Sequence, residues 1–359
     1  MARADRFDRL RNRRYPMEKL AEARNQFSSI ASSEQDFRYM VDSMQPIDAQ
    51  FTENTFKEGF RVRDQLANNL PSKYLPEFDF QGSVTSDTHI RIHSDIDLLA
   101  LNGCFVSIDP GAPNSSPYGG NAMEELKSMR SDAARLLKSN FPAVTVDDSP
   151  GKSISLKGGS LNRKIDVVIG NWWDTELWNQ YKVKMARGVR ILDTKAPKLI
   201  LNKPFWHNYE IDKKDEKTGG LRKVIRLLKT LKYDAEPEMK ISSYDITAVA
   251  WNMSESALQV SPGAYLQLAT NARDELKRFI DNEALRNGLK VPNGTRTVFG
   301  ADGATFESLR QLHAELADLI QRITIARMIS FSTSSMTGVR VPLPQWEERR
   351  PQVILEHSF

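Results

Sequence analysis

The sequence predicts an α+β protein of two lobes, with a mixed or antiparallel sheet and helices in the first lobe and helices alone in the second. Three observations support this prediction. Short β-branched runs bounded by Gly-, Pro- and Ser-containing turns occupy the first half of the chain. Helical spacing of apolar residues precedes and interrupts these runs. After residue 171 the apolar spacing is helical and shows no strand-like alternation.

The elements follow in order along the chain. Apolar residues recur at helical spacing up to Leu70, where Pro71 ends the run, and a strand then leads to Gly82-Ser83. The remaining elements predicted for the first lobe are a strand over 92–101, a helix over 122–141 and strands over 143–147, 152–157 and 161–169. The helices predicted for the second lobe cover 220–233, 242–254, 262–280 and 303–329.

These elements divide the chain into segments. Residues 1–16 form a basic arm that is either a solvated terminus or a phosphate-contacting segment. Residues 17–170 form the sheet lobe with a long N-terminal helical segment, and residues 171–330 form the helical lobe. Residues 331–359, with their prolines and mixed charges, form a surface tail.

Composition excludes several classes of protein. The chain has 359 residues, of which 40% are hydrophobic and 27% charged, as in an ordinary globular protein. It contains no apolar run long enough to span a membrane. The single cysteine, Cys104, excludes an internal disulfide framework. A net charge of +4 does not indicate a dedicated nucleic-acid-binding protein. We therefore expect a cytoplasmic protein that is not associated with a membrane.

The most informative motif is Asp95-Ile96-Asp97, which lies inside an apolar strand downstream of a Gly-Ser turn. Alternate residues of a strand point to the same face, so Asp95 and Asp97 are expected to share one. A third acid, Asp166, interrupts the β-branched run that ends at Ile169. Three carboxylates of this kind suit Mg²⁺, or Mn²⁺ in its place, and support two-metal phosphoryl transfer. The alternative is that three unrelated acids lie at strand edges.

The order of the motifs resembles the bacterial CD-NTases, which are relatives of cyclic GMP–AMP synthase and oligoadenylate synthase in the DNA polymerase β-like nucleotidyltransferase superfamily. The resemblance rests on the Gly-Ser turn, the Asp-x-Asp pair, the distant aspartate, a lysine-bearing helix and a Ser-Tyr helix. These blocks occur in the order of the family over about residues 50 to 290.

The resemblance implies roles for individual residues. The catalytic and metal-binding residues would be Asp95, Asp97 and Asp166, and Asp166 would also help to deprotonate the attacking hydroxyl. The nucleotide-binding residues would be Gln81, Gly82, Ser83, Lys229, Ser243 and Tyr244. Among these, Ser83, Lys229 and Ser243 would contact the triphosphate, and Tyr244 would stack on the donor base.

The implied function is synthesis of a cyclic oligonucleotide second messenger from nucleoside triphosphates, ATP or GTP or both, with release of pyrophosphate. The product would activate a separate effector protein in anti-phage signalling, and a nucleic acid is an expected activator through the basic arm. Two alternatives stay open. One is a template-free RNA-end or antitoxin-type nucleotidyltransferase, and the other is an inactive nucleotide- or RNA-binding regulatory module.

Overall fold

The computed structural model describes residues 32–90, 95–109, 118–237, 239–301 and 303–337. These residues divide into two compact units. The sheet unit contains the described residues of 48–89 and 95–212. The helical unit contains those of 32–47 and 213–337, together with residue 90.

A mixed sheet of seven strands forms the centre of the sheet unit. Its strands are β1 Glu77–Gln81, β2 Ile96–Ile108, β3 Thr145–Asp147, β4 Ile154–Gly158, β5 Leu161–Asp174, β6 Gly188–Asp193 and β7 Lys198–Asn202. The order is β1-β2-β5-β4-β3, and β6 joins the later part of β5 to β7. Only β2 and β5 are parallel, and every other pair among these strands is antiparallel.

Two helices cover one face of this sheet. They are α2 Ala49–Asn69 and α3 Ala122–Asn140, and α1 Ser32–Met44 precedes them in the helical unit. Their buried residues include Leu66 and Leu126, which join Leu98 and Ile165 of the sheet in one hydrophobic core. Because Ile96, Leu98 and Ala100 of β2 belong to this core, the odd-numbered residues from Asp97 to Leu101 face the opposite side.

The opposite face carries a smaller core and the polar site residues. Leu99 and Leu101 of β2 pack with Trp172 of β5 and Phe205. Phe205 belongs to α5 Pro204–Thr218, which follows the short helix α4 Glu176–Tyr181. Asp97 precedes Leu99 by two residues, so strand alternation places its carboxylate on this second face.

The predicted α+β class, with its mixed sheet, is confirmed, as are the helix over α3 and the strands that contain or follow the acids. The prediction that residues after 171 are helical is wrong for β6 and β7. Both strands extend the sheet, and β5 itself continues to Asp174. The expected helical segment before Leu70 is two helices, α1 and α2, within the residues described.

The helical unit is built around α6 Leu221–Asp234. The helices that follow α6 in the chain are α7 Ser243–Trp251, α8 Glu255–Leu258, α9 Tyr265–Asp281, α10 Glu283–Gly288 and α11 Phe306–Thr337. Tyr39 of α1 donates a hydrogen bond to Asp234 of α6 at 2.9 Å, and Arg322 of α11 lies 3.0 Å from Asp36. The helices predicted in this region are confirmed.

The cationic residues of α6 do not all lie on a solvated face. Arg226, Lys229 and Lys232 are all buried. The Arg226 guanidinium donates a hydrogen bond to the carbonyl of Met44. A helix enclosed by its neighbours buries residues that its own amphipathic pattern places outside, because tertiary packing overrides the local pattern.

Three predicted segments fall outside the described residues in whole or in part: the basic arm over 1–16, the start of the N-terminal helical segment over 17–31, and the part of the tail that follows Thr337. Among the helices of the part that is described, none has the length and apolar character that a membrane crossing requires.

Candidate active site

The parallel pairing of β2 and β5 places Asp97 directly beside Asp166. Gln81 of β1 stands opposite Asp97 on its other side, and Ser155 of β4 stands opposite Asp166. Neighbouring strands are about 4.8 Å apart, so these residues form a polar row across four strands. The row joins the Gln-Gly-Ser turn to both acidic motifs, as the sequence predicted for a single site.

Asp95 lies immediately before β2, two residues from Asp97. A lysine connects it to the third acid. Lys164 Nζ donates hydrogen bonds to Asp95 Oδ2 at 2.7 Å and to Asp166 Oδ2 at 2.6 Å. All three aspartates therefore converge on one end of the β2–β5 pair, with one lysine ammonium among them.

Burial and the convergence of the three carboxylates shift the pKa of Asp97. Asp97 as a residue is half-buried, and its carboxylate is withdrawn from water. This burial, reinforced by the negative charges of Asp166 and Asp95, raises the pKa of Asp97 from 3.8 to about 7. Burial and like charges both disfavour an ionised carboxylate. A site that shifts a pKa this far is typical of catalytic and ligand-binding centres.

The turn accepts only glycine at position 82. Its φ is +93°, and a Cβ placed there would lie 2.5 Å from Asp97 Oδ2. Any side chain would therefore strain the backbone and collide with the carboxylate. The absence of a side chain lets the turn approach Asp97 closely.

A hydroxyl group and a backbone amide of the following loop hold the carbonyl groups of the turn. Thr85 Oγ1 donates to the carbonyl of Gly82 at 2.9 Å, and the amide of Thr88 donates to the carbonyl of Ser83 at 3.0 Å. Because a trans peptide directs its N–H opposite to its C=O, the Ser83 N–H points away from Thr85. That orientation suits a backbone amide that contacts an anion.

Two asparagines from distant segments support the same turn. Asn202 at the end of β7 donates to Gln81 Oε1 at 2.9 Å, and Asn208 of α5 donates to Thr85 Oγ1 at 3.0 Å. No local pattern in the sequence indicates these contacts, because each joins residues more than a hundred positions apart. The sequence does indicate the position of Lys164. This lysine precedes Asp166 by two residues on one strand and therefore lies on the same face.

The donor set fits a hard divalent cation. Carboxylate oxygens are the ligands that Mg²⁺ prefers, and Asp166 Oδ1 is buried with no hydrogen-bond partner in the described part of the protein. As the side chains stand, no three acidic, histidine or cysteine residues within the described ranges form a ready metal cage. Lys164 provides the positive charge that Asp95 and Asp166 contact.

Lys229 lies in the middle of α6 and is only 3% exposed. Its burial, together with the neighbouring charges of Arg226 and Lys232, lowers its pKa from 10.5 to about 7. Burial disfavours the charged form of an amine, and the contact predicted between Lys229 and a triphosphate stays a prediction.

Ser243 and Tyr244 begin α7, and both are half-buried. The helix is capped by Ser242, whose Oγ accepts from the amide of Asp245 at 2.9 Å. Tyr244 donates its hydroxyl hydrogen to Asn293 Oδ1 at 2.9 Å, and burial raises its pKa to about 12. Its ring also lies 5.4 Å from the Arg296 guanidinium. The ring is thereby fixed in orientation, and base stacking by Tyr244 stays a prediction.

Comparison with known proteins gives independent support for the family resemblance that the sequence motifs indicate. Residues 209–321 match the cGAS/DncV-like nucleotidyltransferase C-terminal helical domain. A cyclic dinucleotide synthase, CdnE, from Yersinia aleksiciae is 35% identical over 295 residues, which cover 80% of this chain and 77% of that protein. A c-di-GMP synthase from Capnocytophaga granulosa is 28% identical over 340 residues, covering 86% of this chain and 94% of that protein.

The fold agrees with solved structures of the same group. The STING-associated CdnE c-di-GMP synthase from Capnocytophaga granulosa superposes with a TM-score of 0.72 at 26% identity, over 90% of this chain and 99% of that one. A CdnE c-UMP-AMP synthase from Rhodothermus marinus has a TM-score of 0.60 at 18% identity, over 78% and 94% of the two chains, which shows a shared fold. Two lobes, the converging carboxylates and these relatives together lead to one conclusion. The chain belongs to the bacterial CD-NTase family and is a nucleotidyltransferase that synthesises a cyclic oligonucleotide.

Proposed function

We propose that this enzyme joins two ribonucleoside triphosphates into a cyclic dinucleotide and releases one pyrophosphate for each bond formed. The observation that carries the proposal is the register of Asp97 beside Asp166, with Gly82 packed against the Asp97 carboxylate. This arrangement combines an acidic cation site with a turn that can approach a phosphate closely. Phosphoryl transfer depends on such positioning and electrostatic stabilisation.

Asp95, Asp97 and Asp166 would hold Mg²⁺, with Mn²⁺ as an alternative. When bound, Mg²⁺ supplies positive charge that stabilises the developing charge on the transferred phosphate and the leaving pyrophosphate.

The residues of the chain have separate tasks. The buried Asp166 Oδ1 has no hydrogen-bond partner within the described residues and would accept the proton of the attacking ribose hydroxyl. The amide and hydroxyl of Ser83 would bind a phosphate oxygen at the turn that Thr85 and Asn208 hold in place. Lys229 and Ser243 would add contacts to the triphosphate, and Tyr244 to the donor base.

The relatives indicate a substrate. Three similar proteins are named c-di-GMP synthases, so we include GTP among the substrates of this enzyme. Because the base is selected by the shape of a pocket rather than by the carboxylates, ATP remains a second substrate in the proposal. Such nucleotides are cytoplasmic metabolites, and we place the reaction there.

The test is a set of reactions with purified protein, Mg²⁺ and the four triphosphates, from which each nucleotide is left out in turn. Product is identified by mass spectrometry after phosphatase treatment, and pyrophosphate is measured in parallel. We expect a phosphatase-resistant cyclic dinucleotide that disappears when GTP is omitted. The Asp97→Asn variant is the matched inactive control.

Two other outcomes would replace this proposal. Products that form only when an RNA acceptor is added, and that lose terminal phosphate, would indicate an RNA-end or antitoxin-type transferase. Absence of pyrophosphate release from folded protein under all conditions would indicate a nucleotide-binding module.

The similarity to a synthase described as STING-associated supports a signalling role, in which the product activates a separate effector in defence against phage. Plaque counts on the native bacterium, compared with a strain carrying the Asp97→Asn allele, test this role. Equal counts would contradict it. Stimulation of synthesis by RNA or DNA through residues 1–16 is tested by product yield with and without nucleic acid at two salt concentrations.

A further inference from the structure

Lys164 occupies the centre of the acidic site, although no catalytic role requires a lysine there. Its ammonium lies 2.7 Å from Asp95 Oδ2 and 2.6 Å from Asp166 Oδ2. These are short, charge-assisted hydrogen bonds to two of the three proposed metal ligands. The lysine side chain is 37% exposed. It is therefore anchored by the carboxylates rather than enclosed by the core.

The ammonium and a divalent cation need the same oxygen atoms. Mg²⁺ coordinates oxygen at about 2.1 Å, and two cations a few ångströms apart repel each other. Occupation of Asp95 Oδ2 and Asp166 Oδ2 by the lysine is thus incompatible with tight coordination of a metal by those atoms.

The lysine is also able to leave. Its charge is carried on a flexible stem of four carbons, and its exposure means that the ammonium regains water on withdrawal. When it leaves, the three neighbouring carboxylates lose the cation that Asp95 and Asp166 contact among the described residues, and their combined negative charge favours a divalent ion.

We propose that Lys164 is a built-in competitor of the metal: it bridges Asp95 and Asp166 until a divalent cation displaces it. The inference rests on the proposed metal site and adds to it a control on metal affinity. The lysine compensates part of the negative charge of the acidic cluster when metal is scarce, and the enzyme then needs a higher metal concentration to load.

The first experiment measures Mn²⁺ binding to the full chain without nucleotide, from the EPR signal of the free ion. Lys164→Met removes the competing charge at similar side-chain length. We expect its dissociation constant for Mn²⁺ to be lower than that of the wild type by about fivefold or more. Lys164→Arg keeps the charge and should stay within about twofold of wild type. Lys157→Met is the matched control, because Lys157 is an exposed lysine of β4 in the same unit.

The second experiment uses the unaltered protein, so it is independent of whether a variant folds. The protein is acetylated briefly with an N-hydroxysuccinimide ester, in EDTA or in saturating Mn²⁺, and labelling is measured residue by residue by mass spectrometry. A displaced lysine becomes more reactive, so we expect labelling of Lys164 to rise about threefold or more relative to Lys157.

The outcomes separate the two proposals. Tighter Mn²⁺ binding by Lys164→Met, together with metal-dependent labelling of Lys164, supports competition. Equal affinities and unchanged labelling, with Mn²⁺ bound by the wild type, overturn the role of Lys164 and leave the metal site standing. If neither the wild type nor Lys164→Met binds Mn²⁺, the metal site itself is wrong, and the competition with it.

Discussion

Asp97 on β2 and Asp166 on β5 stand side by side in register on parallel strands. Two carboxylates on adjacent parallel strands cannot both ionise at the usual pH without repulsion, and the raised pKa of Asp97 reflects this. The arrangement is unfavourable for the folded chain taken alone. A cation bound at the proposed metal site would offset this cost, so the proposed site exchanges stability for binding.

The first prediction concerns that exchange. Between about pH 4 and pH 7 the folded state binds more protons than the unfolded state, because the folded pKa of Asp97 is raised from 3.8 to about 7. Stability therefore falls as pH rises through this window. In EDTA at pH 8, Asp97→Asn should raise the melting temperature by roughly 2–6 °C and abolish synthesis. At pH 5 its melting temperature should be close to that of the wild type.

The control for this prediction is Asp64→Asn on α2, where the carboxylate is exposed. It should change neither quantity. An Asp97→Asn protein that melts below the wild type at pH 8 would show that Asp97 stabilises the fold, contrary to the prediction.

The second prediction concerns Gly82. Alanine at this position adds backbone strain of about 1–3 kcal/mol and places a methyl group against the Asp97 carboxylate. We expect Gly82→Ala to lower synthesis at least about tenfold, because the displaced carboxylate loses its position in the site. Gly158→Ala is the matched control, since Gly158 also has a positive φ, of +73°, but nothing lies within 4 Å of its Cβ position. If both variants lost synthesis to a comparable extent, backbone strain alone would explain the loss in Gly82→Ala.

The third prediction concerns Lys229 and pH. Its folded pKa of about 7 lies below its ordinary 10.5, so the unfolded state binds more protons between these values. Wild-type stability should therefore increase as pH rises through this window. Lys229→Met, which cannot titrate, should be more stable than the wild type at pH 7 and lose this advantage toward pH 10. Its affinity for nucleoside triphosphate should fall.

Denaturant midpoints at the two pH values provide the measurement. Lys223→Met is the control, because Lys223 lies on the same helix and is half-exposed. A stability difference between Lys229→Met and the wild type that does not change with pH would contradict the assigned pKa.

The fourth prediction concerns the support of the Gly82-Ser83 turn. Asn208→Ala removes the hydrogen bond to Thr85 and leaves the carboxylates untouched. We expect KM for nucleoside triphosphate to rise severalfold with a smaller change in kcat, because the turn is positioned less well before binding. Asn140→Ala, which removes an exposed hydrogen bond to Gln65, should leave both parameters unchanged. A fall in kcat with KM unaltered would place Asn208 in the chemical step instead.

Local patterns predicted the parts of the site that local geometry controls. Alternation placed Asp95 and Asp97 on one face, and a lone acid in a β-branched run identified Asp166. The strands β6 and β7 were missed, although their short apolar runs around Asp193 are typical of a hairpin. Trp172 and Trp173, which precede these two strands, belong to β5.

Other features could not be read from the sequence for physical reasons. The contact of Asn202 with Gln81 joins residues 121 positions apart, and side-chain amides have no preference that indicates a distant partner. The burial of Arg226, Lys229 and Lys232 depends on the neighbours that surround α6, and the amphipathic pattern of one helix does not record them. Residue types therefore predicted the chemistry, while the supporting contacts depend on the tertiary fold.

The parallel pairing of β2 with β5 also sets the earliest time during synthesis of the chain at which the acidic site can form. Asp95 and Lys164 are 69 residues apart, and the ribosome adds about 5–20 residues each second. For roughly 3–14 seconds a nascent chain therefore carries the Asp-x-Asp motif without the strand that completes the site. When β5 emerges, it brings Lys164 and Asp166 together, so the last carboxylate of the cluster arrives with its own counter-charge. A newly made synthase therefore has part of the negative charge of its acidic centre compensated from the moment the site forms.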